Sequence, residues 1–315
     1  MSRTVLRSAI IVIVAVVAFA PAGLRRDVEA KPCGPGNPCP TPTTSPDLTA
    51  DPIVTAAGDV SSLHPSLATR ATAELVMGID PAVAITLGDG QYPAGTKKAY
   101  QDGYDTTWGA FLPKTHPTPG DHDYEGSATA SGYFSYFGSR SPGRYYSYDV
   151  GAWHVISLDS NCVHIEGCDV RSPEYEWLAK DLAEHRAICT LAYWHHPRWS
   201  SGIEHGNSSG TSPLWTLLYD AGADVVLSGH ERNYERFAPQ DYRGEVDATN
   251  GMVEFVVGTG GSGLDPFGPP DPNSLVRDAS TFGVLQLTLH PSSYDFAFKG
   301  IPGSTFADTG TGICH

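Results

Sequence analysis

From Pro52 to the C-terminus, short apolar runs alternate with stretches whose apolar residues recur every three or four positions. Runs of four to eight apolar residues bounded by Gly or Asp read as buried strands, and the longer periodic stretches read as helices. The pattern predicts strands over 53–57, 83–87, 189–194, 224–227 and 253–257. It predicts helices over 65–77, 96–111, 172–185 and 212–222. Ser172-Pro173 and Ser212-Pro213 mark two of the helix starts, because a serine can accept the first free backbone N–H groups and proline suits the first turn. Residues 145–150 and 153–158 alternate and turn at Gly151-Ala152, which predicts a hairpin, and 282–289 with 294–298 predict another. Strands interleaved with helices in two half-patterns imply an α/β fold, a four-layer αββα sandwich of two mixed β-sheets in a single domain over 51–315.

The N-terminal segment has a different character. Arg3 and Arg7 precede an apolar run over 9–20 that is too short for a comfortable membrane span. Ala20-Pro21-Ala22 fits a small-x-small cleavage site, so residues 1–22 are expected to be a signal peptide. Residues 23–50, rich in Pro, Thr, Gly and Ser, are expected to form an extended linker. No other stretch predicts a stable membrane span, and the expected location is extracellular or at the cell envelope.

Six cysteines in an exported chain point to disulfides, for which fifteen pairings exist. Cys33/Cys39 and Cys162/Cys168 are close enough to staple short loops, which would leave Cys189 to join Cys314. The formal charge of −15 makes the chain a poor candidate for general nucleic-acid binding, and none is expected, since such a chain repels the phosphate backbone. An anionic substrate would need local positive charge, and a metal centre supplies it.

Five short segments carry the candidate chemistry. They are Gly58-Asp59, Gly88-Asp89-Gly90-Gln91-Tyr92, Gly120-Asp121-His122-Asp123, His195-His196-Pro197 and Gly229-His230-Glu231-Arg232. Each follows an apolar or extended run and presents Asp, His or Tyr after a turn residue. Ligands gather at the carboxyl ends of strands in α/β sheets, and oxygen donors with imidazole suit Fe, Zn or Mn. Ser200-Ser201-Gly202 lacks the Gly-x-Ser-x-Gly elbow of a serine hydrolase.

In this order the segments resemble the signature of the calcineurin-like metallophosphoesterase superfamily, in the form found in purple acid phosphatases and their bacterial secreted relatives. Asn233-Tyr234-Glu235-Arg236 and Gly258-Thr259-Gly260-Gly261 extend the resemblance, which spans roughly residues 52–260. It implies that Asp59 and Tyr92 ligate a first metal, that Asp89 bridges two, and that Asp121, His195 and His230 ligate the second. It further implies that His122 stabilises or protonates the leaving group, with His196 and His205 lining the pocket. The cofactors implied are two metal ions, Fe with Zn, Mn or Fe, or one ion only. The activity implied is hydrolysis of a phosphorylated small molecule by metal-activated water, with monoesters as the leading substrates and nucleotide or phospholipid diesters as the alternative.

Two positions depart from the signature. Asp121 stands where the family has Asn, and Arg232 stands where it has a last ligating His. A guanidinium stays protonated and cannot ligate. Arg232 is therefore expected to pair with Asp59 or Asp121, or to bind substrate phosphate, and His64 is a candidate for the lost ligand. The same departure motivates a non-catalytic binding protein as a further alternative. His116 and His154 are expected to be structural, Trp199 and Tyr124 to wall the pocket or pack, and Asp123 to orient His122 or cap a turn.

Overall fold

The structure is a computed structural model that describes residues 51–315. The expected signal peptide, the linker and the Cys33/Cys39 pair lie outside these residues. Among the described residues, no helix is long and apolar enough to cross a membrane.

Two mixed sheets form the frame. Strands β1 (Ile53–Ala57), β2 (Val83–Leu87) and β3 (Thr115–Thr118) run parallel. Strands β11 (Gly283–His290), β12 (Ser293–Gly300) and β13 (Thr309–Ile313) continue that sheet antiparallel, in the order β13-β12-β11-β1-β2-β3. The second sheet has a parallel centre of β9 (Val253–Val257), β7 (Val225–Ser228), β6 (Cys189–Tyr193) and β5 (Trp153–Ser157). Antiparallel β4 (Tyr146–Val150) closes one edge, and β8 (Tyr234–Phe237) with β10 (Ser274–Asp278) closes the other.

Side-chain alternation explains the layers. Leu191, Tyr193, Val225 and Leu227 join Val54, Ala56, Leu285 and Leu287 in the core between the sheets. Their neighbours Ala192, Trp194 and Val226 point the other way, onto Leu178, Leu214, Trp215 and Leu218 of the helices α5 (Pro173–Glu184) and α6 (Ser212–Asp220). Successive residues of a strand face opposite sides, so a strand buried on both faces must be apolar throughout. That accounts for the apolar runs in β2 and β6, each interrupted by one buried threonine, Thr86 and Thr190. On the outer face of the first sheet lies α1 (Leu67–Ile79), where the Ser66 hydroxyl accepts from the Thr69 N–H.

The expected helix over 96–111 is a correction. Only α2 (Lys97–Asp102) is helical, and two short 3-10 segments, Tyr104–Thr106 and Trp108–Lys114, follow. The cause is local: the Tyr104 N–H donates to Gln91 Oε1 at 2.9 Å and leaves the helical ladder at Gly103. Two short helices, α3 (Asp121–Glu125) and α4 (Ser131–Phe137), and the strands β3, β8, β10 and β13 add to the elements expected from the sequence. Strand β13, Thr-Gly-Thr-Gly-Ile, has no apolar pattern of its own; its Gly310 and Gly312 lie under the rings of Phe296 and Tyr294. A glycine covered by a cross-strand aromatic is a known way to stabilise such an edge.

Cys162–Cys168 and Cys189–Cys314 are disulfide-bonded, as two of the expected pairs. The second ties β13 to the buried start of β6 across 125 residues of chain. Closing so long a loop removes much of the unfolded chain's freedom. Replacing both Cys189 and Cys314 by Ser should cost about 2–5 kcal/mol. Thermal unfolding without reductant should show a lowered midpoint, with the folded circular dichroism spectrum retained.

Candidate metal centre

The ends of β1, β2, β3, β6 and β7 meet on one side of the two sheets, and each delivers one segment of the candidate site. The backbone turns sharply where it leaves the strands. Asp59, Asp89 and His230 all adopt positive φ, at 59°, 50° and 68°. A non-glycine residue there costs on the order of 1–2 kcal/mol, and such strain concentrates at functional sites. Close approach of the turns demands glycine at position 120, because a Cβ there would run into the Asp89 carboxylate.

Asp121 Oδ1 lies 3.1 Å from both His195 Nε2 and His230 Nδ1, and these two nitrogens are 3.2 Å apart. His195 Nε2 is also 3.5 Å from Asp89 Oδ2. Asp59, Asp89 and His195 form a second such group, and Asp89, Asp121 and His122 a third. Tyr92 completes the constellation by donating its hydroxyl to Asp59 Oδ1 at 2.6 Å. All six residues expected to ligate metal are thus brought together.

The hydrogen bonds fix what each imidazole offers. His195 Nδ1–H donates to the Leu87 carbonyl at 2.7 Å, which turns Nε2 toward the carboxylates. His122 Nδ1–H donates to the Pro93 carbonyl at 2.6 Å, so its Nε2 faces Asp89 and Asp121 at 4.0 and 3.9 Å. Ser160 Oγ accepts from the His196 backbone N–H at 2.9 Å and pairs with His196 Nδ1 at 2.7 Å, which fixes the ring with Nε2 3.9 Å from Asp121. The His205 ring lies 3.9 Å from that of His230, at the mouth of the site.

The electrostatics show a cluster with surplus negative charge. Burial pushes the Asp59 carboxyl up to about 7, with His195 opposing and the Asp89 charge adding to the rise. For His195, burial alone would favour the neutral ring, but Asp89, Asp121 and Asp59 outweigh it and hold the imidazole well above its ordinary value. Burial and the charges of His195 and His230 keep His196 well below its ordinary value, so it is neutral. For His122, burial is outweighed by Asp89, the Pro93 carbonyl and Asp121, which raise it. Buried carboxylates crowded together need a cation. Edges of 3.1–3.2 Å are close to the roughly 3.3 Å expected of donors held 2.0–2.1 Å from one tetrahedral ion, so the donor set fits metal.

Arg232 sits elsewhere than expected. Its Nε donates to Asp265 Oδ2 at 2.6 Å, and it pairs with neither Asp59 nor Asp121. The Asp265 carboxylate offers that pairing from the surface side, which spares Asp59 for the cluster. His64 is exposed and joins none of the ligand groups among the described residues. Asp123 does not orient His122: it accepts from the Gly120 N–H and the Tyr100 hydroxyl and so caps α3. His116 stacks on Tyr148, Tyr124 on His164, and Trp199 under Arg198, all as packing. Ser201 Oγ donates to buried Glu235 and has no imidazole partner.

Sequence reasoning missed three buried glutamates that hold the loop between His196 and Asn207. Glu254 accepts from the N–H groups of Arg198 and Trp199, Glu235 from Ser201, and Glu231 from His205 and Gly206. The signal was present: these are acidic residues within or beside apolar strand runs, where only a satisfied carboxyl survives burial.

The fold and the cluster define an α/β protein with a candidate metal centre at its strand ends. Residues 58–234 match the family model described as calcineurin-like phosphoesterase, and the chain belongs to that family. Purple acid phosphatase 15 of Arabidopsis thaliana is 33% identical over 186 residues, covering 52% of this chain and 34% of that protein. Purple acid phosphatase 21 of the same plant is 29% identical over 220 residues, covering 61% of this chain and 49% of that protein. The chain thus spans a third to a half of these curated relatives. The solved purple acid phosphatase PPD1 from yellow lupin seeds has a TM-score of 0.66 at 18% identity, covering 85% of this chain and 54% of that one. GAP50, described as the anchor in the inner membrane complex of Plasmodium, has a TM-score of 0.65 at 15% identity, covering 84% of this chain and 90% of that one. Both likenesses concern the fold alone.

Gly120→Ala should displace the Asp89 carboxylate. The expected result is a folded protein, by circular dichroism, with fewer metal atoms per chain than the wild type by elemental analysis.

Proposed function

We propose that the chain is a metal-dependent phosphatase that hydrolyses phosphate monoesters of small molecules outside the cytoplasm. The observation that carries this reading is the convergence of Asp59, Asp89, Tyr92, Asp121, His195 and His230 at the ends of five strands. Asp59, Asp89 and Tyr92 would hold a first ion, and Asp89, Asp121, His195 and His230 a second. A phenol oxygen at the first position favours Fe(III), and the second suits Zn, Mn or Fe. When bound, such ions supply Lewis acidity toward the phosphoryl oxygens and toward water.

The chain's own residues do the rest. His122 keeps one ring proton on the Pro93 carbonyl, and the nearby carboxylates favour a second proton on Nε2. That nitrogen faces the open side of the site and can give its proton to the leaving alkoxide as the P–O bond breaks. His196, kept neutral by burial, can in its Nε2–H tautomer donate to a phosphoryl oxygen beside Asp121. Arg232, fixed through Nε, keeps its terminal nitrogens for an anionic group at the mouth. A monoester dianion gains most from that extra positive charge, which favours monoesters over diesters. The two disulfides accord with an oxidising compartment.

A second reading has an observation of its own. With Arg232 at the last motif position and engaged by Asp265, the first position keeps only Asp59, Asp89 and Tyr92. A one-metal or non-catalytic binding protein would follow from that loss.

The deciding experiment pairs elemental analysis with hydrolysis of p-nitrophenyl phosphate and bis-p-nitrophenyl phosphate. The proposal expects about two metal atoms per chain at this centre and faster turnover of the monoester. A metal-loaded protein without turnover of either ester would favour the binding reading. His122→Ala should lower kcat by about 10²–10⁴-fold at unchanged metal content. An equal loss of metal and activity would place His122 among the ligands instead.

A further inference from the structure

At the opposite end of the second sheet lies another group of histidines and carboxylates. His154 stands at the start of β5, opposite Thr190 of β6, whereas His195 follows the far end of β6. Five residues of strand separate the two ends, roughly 16 Å. His154 is buried, with Nε2 2.8 Å from Asp181 Oδ2 and Nδ1 3.0 Å from Asp149 Oδ1. His185, at the end of α5, places Nδ1 3.2 Å from Asp181 Oδ1 and 3.1 Å from the Asp181 carbonyl. The two imidazoles stack with ring centres 4.9 Å apart and planes within 12°. Ser147 Oγ donates to Asp181 Oδ1 at 2.7 Å and fixes that carboxylate. A cavity of about 280 Å³ lined by Asp149, His154, His185 and Arg186 opens beside the group.

We propose that His154, Asp181 and His185 bind a further divalent ion of the zinc type, separate from the catalytic centre, which pins the β4–β5 hairpin to the end of α5. One donor atom from each of the three residues lies within 4.8 Å of the others. Two nitrogens and one carboxylate oxygen, with the fourth position open to the cavity, are a standard zinc donor set. Asp149 supplies the outer carboxylate: by accepting from Nδ1–H it turns His154 Nε2 into a lone-pair donor, as carboxylate–histidine–zinc groups require. Charge balances too, since two neutral imidazoles and two carboxylates are neutralised by one divalent ion. Binding exchanges the proton that His154 Nε2 shares with Asp181 for the metal. A buried imidazolium held between two carboxylates is the competing use of the same residues.

The proposal does not depend on hydrolytic activity. The full-length protein, stripped with chelator and reloaded with Zn²⁺, is compared with His185→Ala and Asp149→Asn. His185 is half-exposed, so its removal should not prevent folding. His185→Ala is expected to hold one zinc fewer per chain than the wild type and to lose part of the zinc-induced rise in melting temperature. Its ester hydrolysis should be unchanged. Asp149→Asn should weaken that one zinc about 10- to 100-fold. Equal zinc counts and equal affinities in wild type and His185→Ala would overturn the proposal. As a check that needs no variant, the His154 and His185 ring signals in NMR should move on zinc addition to the wild type. Ring signals that stay fixed at saturating zinc would overturn it equally.

Discussion

The crowding of carboxylates at the ends of β1, β2 and β3 governs the rest of the site. Asp59 and Asp89 are almost wholly removed from water, and burial raises Asp59 even with His195 beside it. Like charges at this range, in a poorly screened interior, repel by several kcal/mol unless something positive lies between them. In the metal-free chain His195 and its proton fill that role, because three carboxylates hold the ring charged. A metal ion does the same with more charge and several coordinated donors. The positive φ values at Asp59, Asp89 and His230 show where the backbone is strained to bring the ligands together.

The frame makes such crowding affordable. Strands apolar on both faces form a rigid double-sheet core, and the two helices behind the second sheet close it from outside. Mobile ligands could relax away from each other, whereas ligands on turns one or two residues beyond buried strands cannot. The loop between His196 and Asn207 extends the same principle. It carries His205 to the mouth, and three buried glutamates replace a helix or strand as its hydrogen-bonding partners.

Much of this was legible in the sequence because the informative residues sit where local rules are strong. Predominantly apolar runs such as 83–87 and 189–194 specify central strands, and Gly-Asp, Gly-His or His-His-Pro after such runs marks the turns that form the site. The edge strands of the first sheet were not legible. Thr115–Thr118 and Thr309–Ile313 have no apolar alternation and take their shape from neighbours. Gln91 breaks the expected helix after Asp102 through one hydrogen bond to a residue thirteen positions away, which no local pattern encodes. Arg232 was readable as a lost ligand, but its partner Asp265 was not, since the pairing depends on how a later loop returns to the site. The same holds for His154, whose alternation gave its face but not the His185 and Asp181 that meet it.

The claim on which the account rests is that the Asp–His cluster at the strand ends is a metal centre. Crystals of the metal-loaded protein, measured at the absorption edge of the bound metal, test it most directly. The account predicts an anomalous peak among Asp121, His195 and His230, with a second among Asp59, Asp89 and Tyr92 if the first position survives Arg232. Ordered side chains around the cluster with no anomalous peak at saturating metal would contradict it.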